Sequence, residues 1–374
     1  MSNLSLGTHG AVTPPSSARA ATSPPVNSWD EFTQLREIIV GDVSHARLPA
    51  QTDISAWLAC FPKLTGAQLR DVQVGQFPDQ VIEETREDLS ELVDTLRSLG
   101  VTTHQPPAVD HRLEFSTPQW QSDGYLSYCP RDVTLVVGNA IIEASSPMRA
   151  RYFETFNMRP LFQQYLDAGA YWLSMPKPQL ADELFGVDEN GLPVLGETEP
   201  AFDAANVLRL GRDLIYQVSR SGNEAGLRWL ESTLRLLGDF RIHPLRGVYG
   251  YTHIDTTIVL LRPGLVMLNP ERIPADAVPD VFKSWDILWC PPLEIRPPAV
   301  IPNISSPWIA MNLLMVNPEL AIADASQPGL IKALEAHGIE IIPRRLRHAQ
   351  VLGGGFHCVT LDIVRDGGAE SYLD

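Results

Sequence analysis

The sequence predicts a single α/β domain in which five copies of a strand–strand–helix–strand unit stand about one centre, like the blades of a propeller. Three observations predict it. A run of helix, short turn and proline-ended strand occurs five times. A two-strand pattern with its own turn precedes most of these runs. The polar residues best suited to chemistry fall at one place in the later units, at or just before the first strand.

The helix–turn–strand runs read VDTLRSLGVTTHQPP (93–107), FQQYLDAGAYWLSMP (162–176), LESTLRLLGDFRIHPL (230–245), VPDVFKSWDILWCPP (278–292) and IKALEAHGIEIIPR (331–344). In four of the five a glycine (Gly100, Gly169, Gly238, Gly338) stands at or near the helix end, where a C-cap favours it. The fourth run has Ser284, Trp285 and Asp286 there instead. The two-strand patterns are VTLVVGNAIIEA (133–144), NVLRLGRDLIYQVS (206–219), TTIVLLRPGLVMLNP (256–270) and MNLLMVNPELAIAD (311–324), and their Gly-Asn, Gly-Arg-Asp, Arg-Pro-Gly and Asn-Pro-Glu centres suit hairpins. The first unit is less regular. LREIIVGD (35–42) supplies one strand, and a long irregular stretch then leads to a helix over 79–100. Residues 1–25, rich in Ser, Ala, Pro and Thr, read as a flexible tail, and 26–374 as one domain.

Composition narrows the function. With 374 residues, 44% of them hydrophobic and 20% charged, the chain has ample length for a large core. A net charge of −16 without any basic run points away from nucleic acid and anionic membranes. No apolar run reaches membrane-spanning length, and the N-terminal stretch lacks the apolar core of a signal peptide. Cys60, Cys129, Cys290 and Cys358 lie far apart with no CxxC spacing, so the expectation is reduced thiols in a cytoplasm.

The shared position is occupied by CPRD (Asp132), FDAAN (Asp203), THID (His253, Asp255), SSPW (Ser305, Ser306) and GGGFHC (Cys358). In a ring of equivalent units, equivalent positions meet at the axis. The set is then a thiol, an imidazole and several carboxylates. A thiolate is a strong nucleophile, and histidine is its usual acid/base partner. A carboxylate on the other ring nitrogen sets the tautomer and favours imidazolium. Two histidines compete for that role. In an extended segment His357 would point away from Cys358, whereas His253 and Asp255, two apart on a strand, would share a face. His253 is therefore favoured, with His357 packing or hydrogen bonding behind the thiol. Carboxylates beside a thiol raise its pKa, which makes sense if the substrate is a cation. A planar guanidinium offers paired N–H donors to Asp132 and Asp255 and favours the thiolate.

These motifs, together with NPER (269–272), resemble those of the amidinotransferases, which move an amidino group from arginine to an amine; the resemblance runs from about Trp29 to Asp374. It implies a five-bladed α/β propeller and a ping-pong reaction. By resemblance Cys358 is the nucleophile, His253 the general acid/base and Asp203 its carboxylate partner. Asp132 and Asp255 bind the guanidinium, and Arg272 and Ser306 hold the donor's carboxylate. No metal or organic cofactor is implied. L-arginine and a small amine are the expected partners, with a homodimer as the candidate assembly. Glycine-using members carry NPMHID where this chain has GYTHID, so Gly250 and Thr252 replace Asn and Met. Loss of the bulky Met makes room for a larger acceptor, and FDAANVLRLG, VSRSGNEAG, LRPGLV and GGGFHCVTLD resemble the inosamine-phosphate amidinotransferases of aminoglycoside antibiotic pathways, which implies an aminocyclitol acceptor. Tyr251 is the departure from that subgroup. The alternatives are a hydrolase of the same superfamily, which would release citrulline, and a non-catalytic arginine-binding propeller.

Overall fold

The computed structural model describes residues 24–49, 53–59, 74–189, 193–295, 300–301, 303 and 305–373. The expected tail, 1–25, lies outside them except for Pro24 and Pro25. The architecture is mixed α/β. Five three-stranded sheets share one plan, an antiparallel pair followed by a parallel neighbour.

Four of these sheets follow the chain order. They are Thr134–Val137, Ala140–Glu143 and Tyr171–Ser174; Val207–Leu210, Asp213–Gln217 and Arg241–Leu245; Ile258–Arg262, Leu265–Leu268 and Asp286–Trp289; Leu314–Asn317, Leu320–Asp324 and Glu340–Arg344. The antiparallel pairs turn at the four hairpins expected from the sequence. The parallel third strand follows from the crossover, since parallel neighbours need a long connection.

The remaining sheet explains the irregular first unit. Leu35–Val40 pairs in parallel with Thr102–His104 and antiparallel with Thr360–Arg365, the last strand of the chain. The partner missing from the N-terminal unit is thus supplied from the C-terminal end, directly after Cys358. Asn27, Ser28 and Asp30 form isolated bridges to Val364, Gly138 and Leu210, tying the N-terminal segment across three sheets.

Helices connect the second and third strands of four units: Asp79–Ser98, Arg159–Asp167, Glu224–Leu237 and Pro328–Ala336. The longest turns Val81, Thr85, Leu89, Leu92 and Leu96 inward at three- and four-residue spacing. Each fully buried Leu or Val contributes roughly 1.5–3 kcal/mol. The fourth unit departs from expectation. Where a helix was predicted, there are two 3₁₀ turns, Ala275–Ala277 and Asp280–Phe282. Pro274 and Pro279 interrupt the segment, and proline cannot be accommodated in a helix interior without losing a hydrogen bond. Of the four expected C-cap glycines, Gly100, Gly169 and Gly338 have positive φ of 79°, 107° and 76°, whereas Gly238 is extended.

The core is built between successive sheets rather than at one centre. One cluster joins Ile38 and Val40 of the first sheet to Leu314 and Ile322 of the last, and another joins Leu208 and Ile215 to Ile258 and Val266. No helix among the described residues is long and apolar enough to cross a membrane.

Candidate active site

The predicted residues converge in tight turns ahead of the strands that open the sheets. Asp132 lies in the one-turn helix Pro130–Val133, running into Thr134. Asp203 precedes the 3₁₀ turn Ala204–Asn206 that leads into Val207. Asp255 lies in the turn before Ile258, Ser306 caps the 3₁₀ helix Pro307–Met311, and Cys358 sits in the turn before Thr360. One cavity of about 70 Å³ is lined by Asp132, Thr252, His253, Asp255, Arg272, Ser306 and Cys358, among others.

His253 and Asp255 do not lie on a strand, which corrects the expectation. His253 has φ 57°, a left-handed conformation that costs a non-glycine residue roughly 1–2 kcal/mol. Its backbone N–H donates to Ser221 Oγ at 3.4 Å, and the Ile254 N–H donates to the Ala205 carbonyl at 3.1 Å. These contacts hold the turn that carries the ring into the cavity. His253 Nε2 meets Asp203 Oδ2 at 3.0 Å, and Nδ1 lies 3.7 Å from Asp132 Oδ1. Burial opposes the charged ring, but the Asp132 charge and the Asp203 hydrogen bond outweigh it and lift His253 to about 9. The ring is therefore an imidazolium at neutral pH.

The three glycines before Cys358 have separate reasons. Gly353 ends the short helix Ala349–Leu352 with φ 80°. A Cβ on Gly354 would stand 2.4 Å from Cys129 Sγ, and one on Gly355 would stand 2.7 Å from the Asn312 backbone oxygen and Cβ. Only bare backbone lets the turn press against those neighbours. Asn312 Oδ1 then accepts the Cys358 N–H at 2.9 Å. The thiol donates to Asp255 Oδ2 at 3.2 Å. Its pKa is pushed well up by the neighbouring Cys129 thiol, by burial, and by the charges of Asp255 and Asp132.

The two carboxylates proposed for the guanidinium share a pattern. Asp132 Oδ2 accepts from Arg151 Nη1 at 2.8 Å, and Asp255 Oδ2 lies 3.0 Å from His357 Nδ1. In each, Oδ1 is buried without a well-aligned hydrogen bond among the described residues, although His253 Nδ1 stands 3.7 Å from that of Asp132 and the Asn312 side chain helps lower the Asp255 carboxyl. Buried polar atoms are nearly always paired in native proteins, so two unpaired oxygens on the walls of one cavity mark where donors are to arrive. Burial raises the Asp132 carboxyl against the pull of His253 and Arg151. Burial also opposes the Asp255 charge, but the His357 hydrogen bond and charge prevail and hold it at about 2.

Arg272 is stacked 3.6 Å from the Tyr249 ring centroid. Its Nη1 donates to Thr256 Oγ1 at 2.7 Å and Thr257 Oγ1 at 2.8 Å, and Nη2 donates to Ser306 Oγ at 3.2 Å. Its Nε is buried without a partner. Thr252 lines the cavity, whereas Gly250 is exposed and outside the lining, so it stands at the rim rather than in the pocket as predicted. Tyr251 is also outside the lining. It is half-buried, with Arg220 4.8 Å from its ring centroid and the ring of cavity-lining Tyr249 5.5 Å away.

Sequence reasoning did not pick out Arg151, Asn312, Tyr249 or Cys129 as parts of the site. Cys129 was visible beside the PRD motif, but only the fold brings its thiol against Cys358. Nothing local distinguishes Asn312 from a turn residue.

No family model matches the chain. The chain is 46% identical over 347 residues to inosamine-phosphate amidinotransferase 1 of Streptomyces glaucescens, covering 92% of this chain and 97% of that one. It is 38% identical over 358 residues to the L-arginine:L-lysine amidinotransferase of Pseudomonas savastanoi pv. phaseolicola, covering 93% and 97%. The solved structure of the inosamine-phosphate amidinotransferase of Streptomyces griseus superposes with a TM-score of 0.87 at 42% identity, over 93% of this chain and 99% of that one. With the thiol, the imidazolium and the paired carboxylates in one cavity, and relatives of this similarity over almost their whole length, the chain belongs to the amidinotransferase family.

Proposed function

We propose that the protein transfers the amidino group of L-arginine to an amine acceptor through a covalent amidino-cysteine intermediate. The observation that carries this reading is the convergence of Cys358, His253 and two unpaired carboxylate oxygens on one cavity. Asp132 and Asp255 take the guanidinium, and Arg272 with Ser306 takes the arginine carboxylate. The bound cation offsets the charges that keep the thiol protonated, so on arginine binding the Cys358 thiol releases its proton to solvent and the thiolate attacks the guanidino carbon. An S–C bond forms, the C–N bond to the ornithine nitrogen breaks, and the His253 imidazolium supplies that nitrogen's proton. Asp203 keeps the ring oriented. The acceptor amine then attacks the same carbon, gives a proton back to His253, and leaves as a new guanidine while the thiolate is restored.

The acceptor is an aminocyclitol of the inosamine-phosphate kind or another natural-product amine. Thr252 on the cavity wall, with no bulkier side chain there, supports a larger acceptor than glycine. Two names among the relatives, one for inosamine phosphate and one for lysine, mark the range. The five like sheets and the pairing of the last strand with the first support a closed five-bladed propeller formed by residues 26–374 as one domain. The free Cys129, Cys290 and Cys358 fit a cytoplasmic location, and a homodimer is the assembly to test.

Intact-protein mass after brief incubation with L-arginine and an acid quench tests the first half-reaction, with ornithine and citrulline assayed in the same tube. An added amidino group and ornithine are expected, followed by discharge on addition of aminocyclitols. Citrulline without an accumulating transfer product would replace this reading with hydrolysis.

A further inference from the structure

Behind Asp255 on the cavity wall, His357 and Glu31 form a line of side chains that the reaction described above does not use. His357 Nδ1 lies 3.0 Å from Asp255 Oδ2, and Nε2 lies 3.1 Å from Glu31 Oε2. A neutral imidazole has one N–H and one lone pair, so it can donate to only one of two carboxylates. Glu31 is ionised by its setting. Arg209 donates to its Oε1 at 2.9 Å and its Oε2 at 2.6 Å, and Arg131 reaches Oε2 at 3.3 Å. Asp255 Oδ2 already receives the Cys358 thiol and acts as an acceptor. Both ring nitrogens of His357 therefore face acceptors, and both carry protons.

The main chain of this residue is held as firmly. Arg131 Nε donates to the His357 carbonyl at 2.7 Å and to the Thr360 carbonyl at 2.8 Å. Glu31 and the ring also border a small cavity walled mainly by apolar side chains, including Leu208, Ile258 and Met315, so no further polar partner is offered there.

We propose that His357 is a positioning residue, an internal imidazolium clamped between Glu31 and Asp255 that keeps the Asp255 carboxylate ionised with its free oxygen aimed at the guanidinium. Arg151 Nη1 stands beside Asp132 Oδ2 at 2.8 Å, so each half of the clamp has its own buried cation. The two differ in kind: a guanidinium is always charged, whereas this imidazolium is made by its two carboxylate neighbours. Glu31, distant in sequence and outside the cavity lining, thereby acts on the donor site through His357.

This inference rests on Asp255 being a guanidinium ligand. Arginine affinity is measured by calorimetry in the Cys358→Ala background, where no adduct forms. His357→Gln keeps an amide near Nε2 and loses the donor to Asp255; affinity is expected to fall roughly ten- to hundredfold, the range of a charge-assisted hydrogen bond. His357→Asn keeps an amide near Nδ1 and is expected to recover part of that loss. Unchanged affinity in His357→Gln would overturn the inference. Asp255→Asn in the same background separates the two claims. If it too leaves affinity unchanged, the clamp itself is wrong; if it alone weakens binding, only the role of His357 is. The unmodified enzyme gives a readout independent of folding in the variants. Nitrogen NMR of the labelled imidazoles at pH 7.5 is expected to show His357 protonated on both nitrogens, and a neutral tautomer there would overturn the proposal.

Discussion

Two groups of buried charges lie back to back in this molecule, and they are finished differently. Behind the site, Arg131, Arg209 and Arg365 are tied to Glu31 and Asp362, with Arg209 Nη2 to Asp362 Oδ2 at 2.9 Å and Arg365 Nε to the same oxygen at 2.6 Å. None of these side chains leaves a buried polar atom without a partner among the described residues. In and beside the cavity the opposite holds. Asp132, Asp255 and Arg272 on its wall, and Asp203 and Asn312 next to it, each keep one buried atom without a hydrogen-bond partner among the described residues. An unpaired buried group costs about 1–3 kcal/mol. The difference teaches that the rear network is internally complete and ties the sheets together, while the front set is not, as the proposed binding of a guanidinium and a carboxylate there requires.

Breaking the front set affects chemistry first. Cys358→Ala is expected to abolish turnover and the covalent adduct while leaving the melting temperature near that of the parent; the intact-mass assay reads the adduct. His253→Asn is expected to lower the rate roughly 10²–10⁴-fold, the usual contribution of a positioned acid/base group. Single-turnover formation of ornithine measures it.

Breaking the rear network affects the fold instead. Arg209→Met leaves Glu31 and Asp362 short of a partner, and removal of one member of a buried charge group costs about 3–5 kcal/mol. Urea unfolding would show it as a lower midpoint with little change in slope.

The His253 imidazolium gives a pH signature that sharpens the contrast. Its folded value of about 9 stands above the ordinary 6.5, so its contribution is complete below pH 6.5 and is lost as pH rises through 9. That rise corresponds to about 3 kcal/mol of stability. Wild type is expected to lose its stability advantage over His253→Asn across that window, as measured by unfolding at several pH values. The smallest expected effect is that of Asp132→Asn, a loss of about 2–3 kcal/mol in arginine binding from one charge-assisted contact. Calorimetry in the Cys358→Ala background reads it.

Much of the fold was legible because its units obey local rules. Alternating apolar runs around Gly138-Asn139 and Gly211-Arg212 make hairpins, and an inward stripe ending near Gly100 makes a helix. The fourth unit misled because apolar spacing survives in 278–282 while prolines deny the helix. Short motifs singled out Cys358, His253 and Asp203; the fold puts Cys358 and His253 on one cavity and Asp203 behind the His253 ring. The strand pairing of His253 with Asp255 was wrong, because a left-handed turn and not a pleat aims the ring.

By itself, then, the sequence determined the repeating unit, its turns and the residue types at one recurrent position, because propensity, periodicity and motif spacing act over a few residues. Only the tertiary structure decided that Thr360–Arg365 joins the first sheet, that Cys129 touches Cys358, that Arg151 and His357 stand against Asp132 and Asp255, and that Glu31 meets His357 from more than three hundred residues away in the chain. Those contacts join positions remote in sequence, and the electrostatic environment of a buried group is set by whatever the fold places within a few ångströms of it, which no local pattern records.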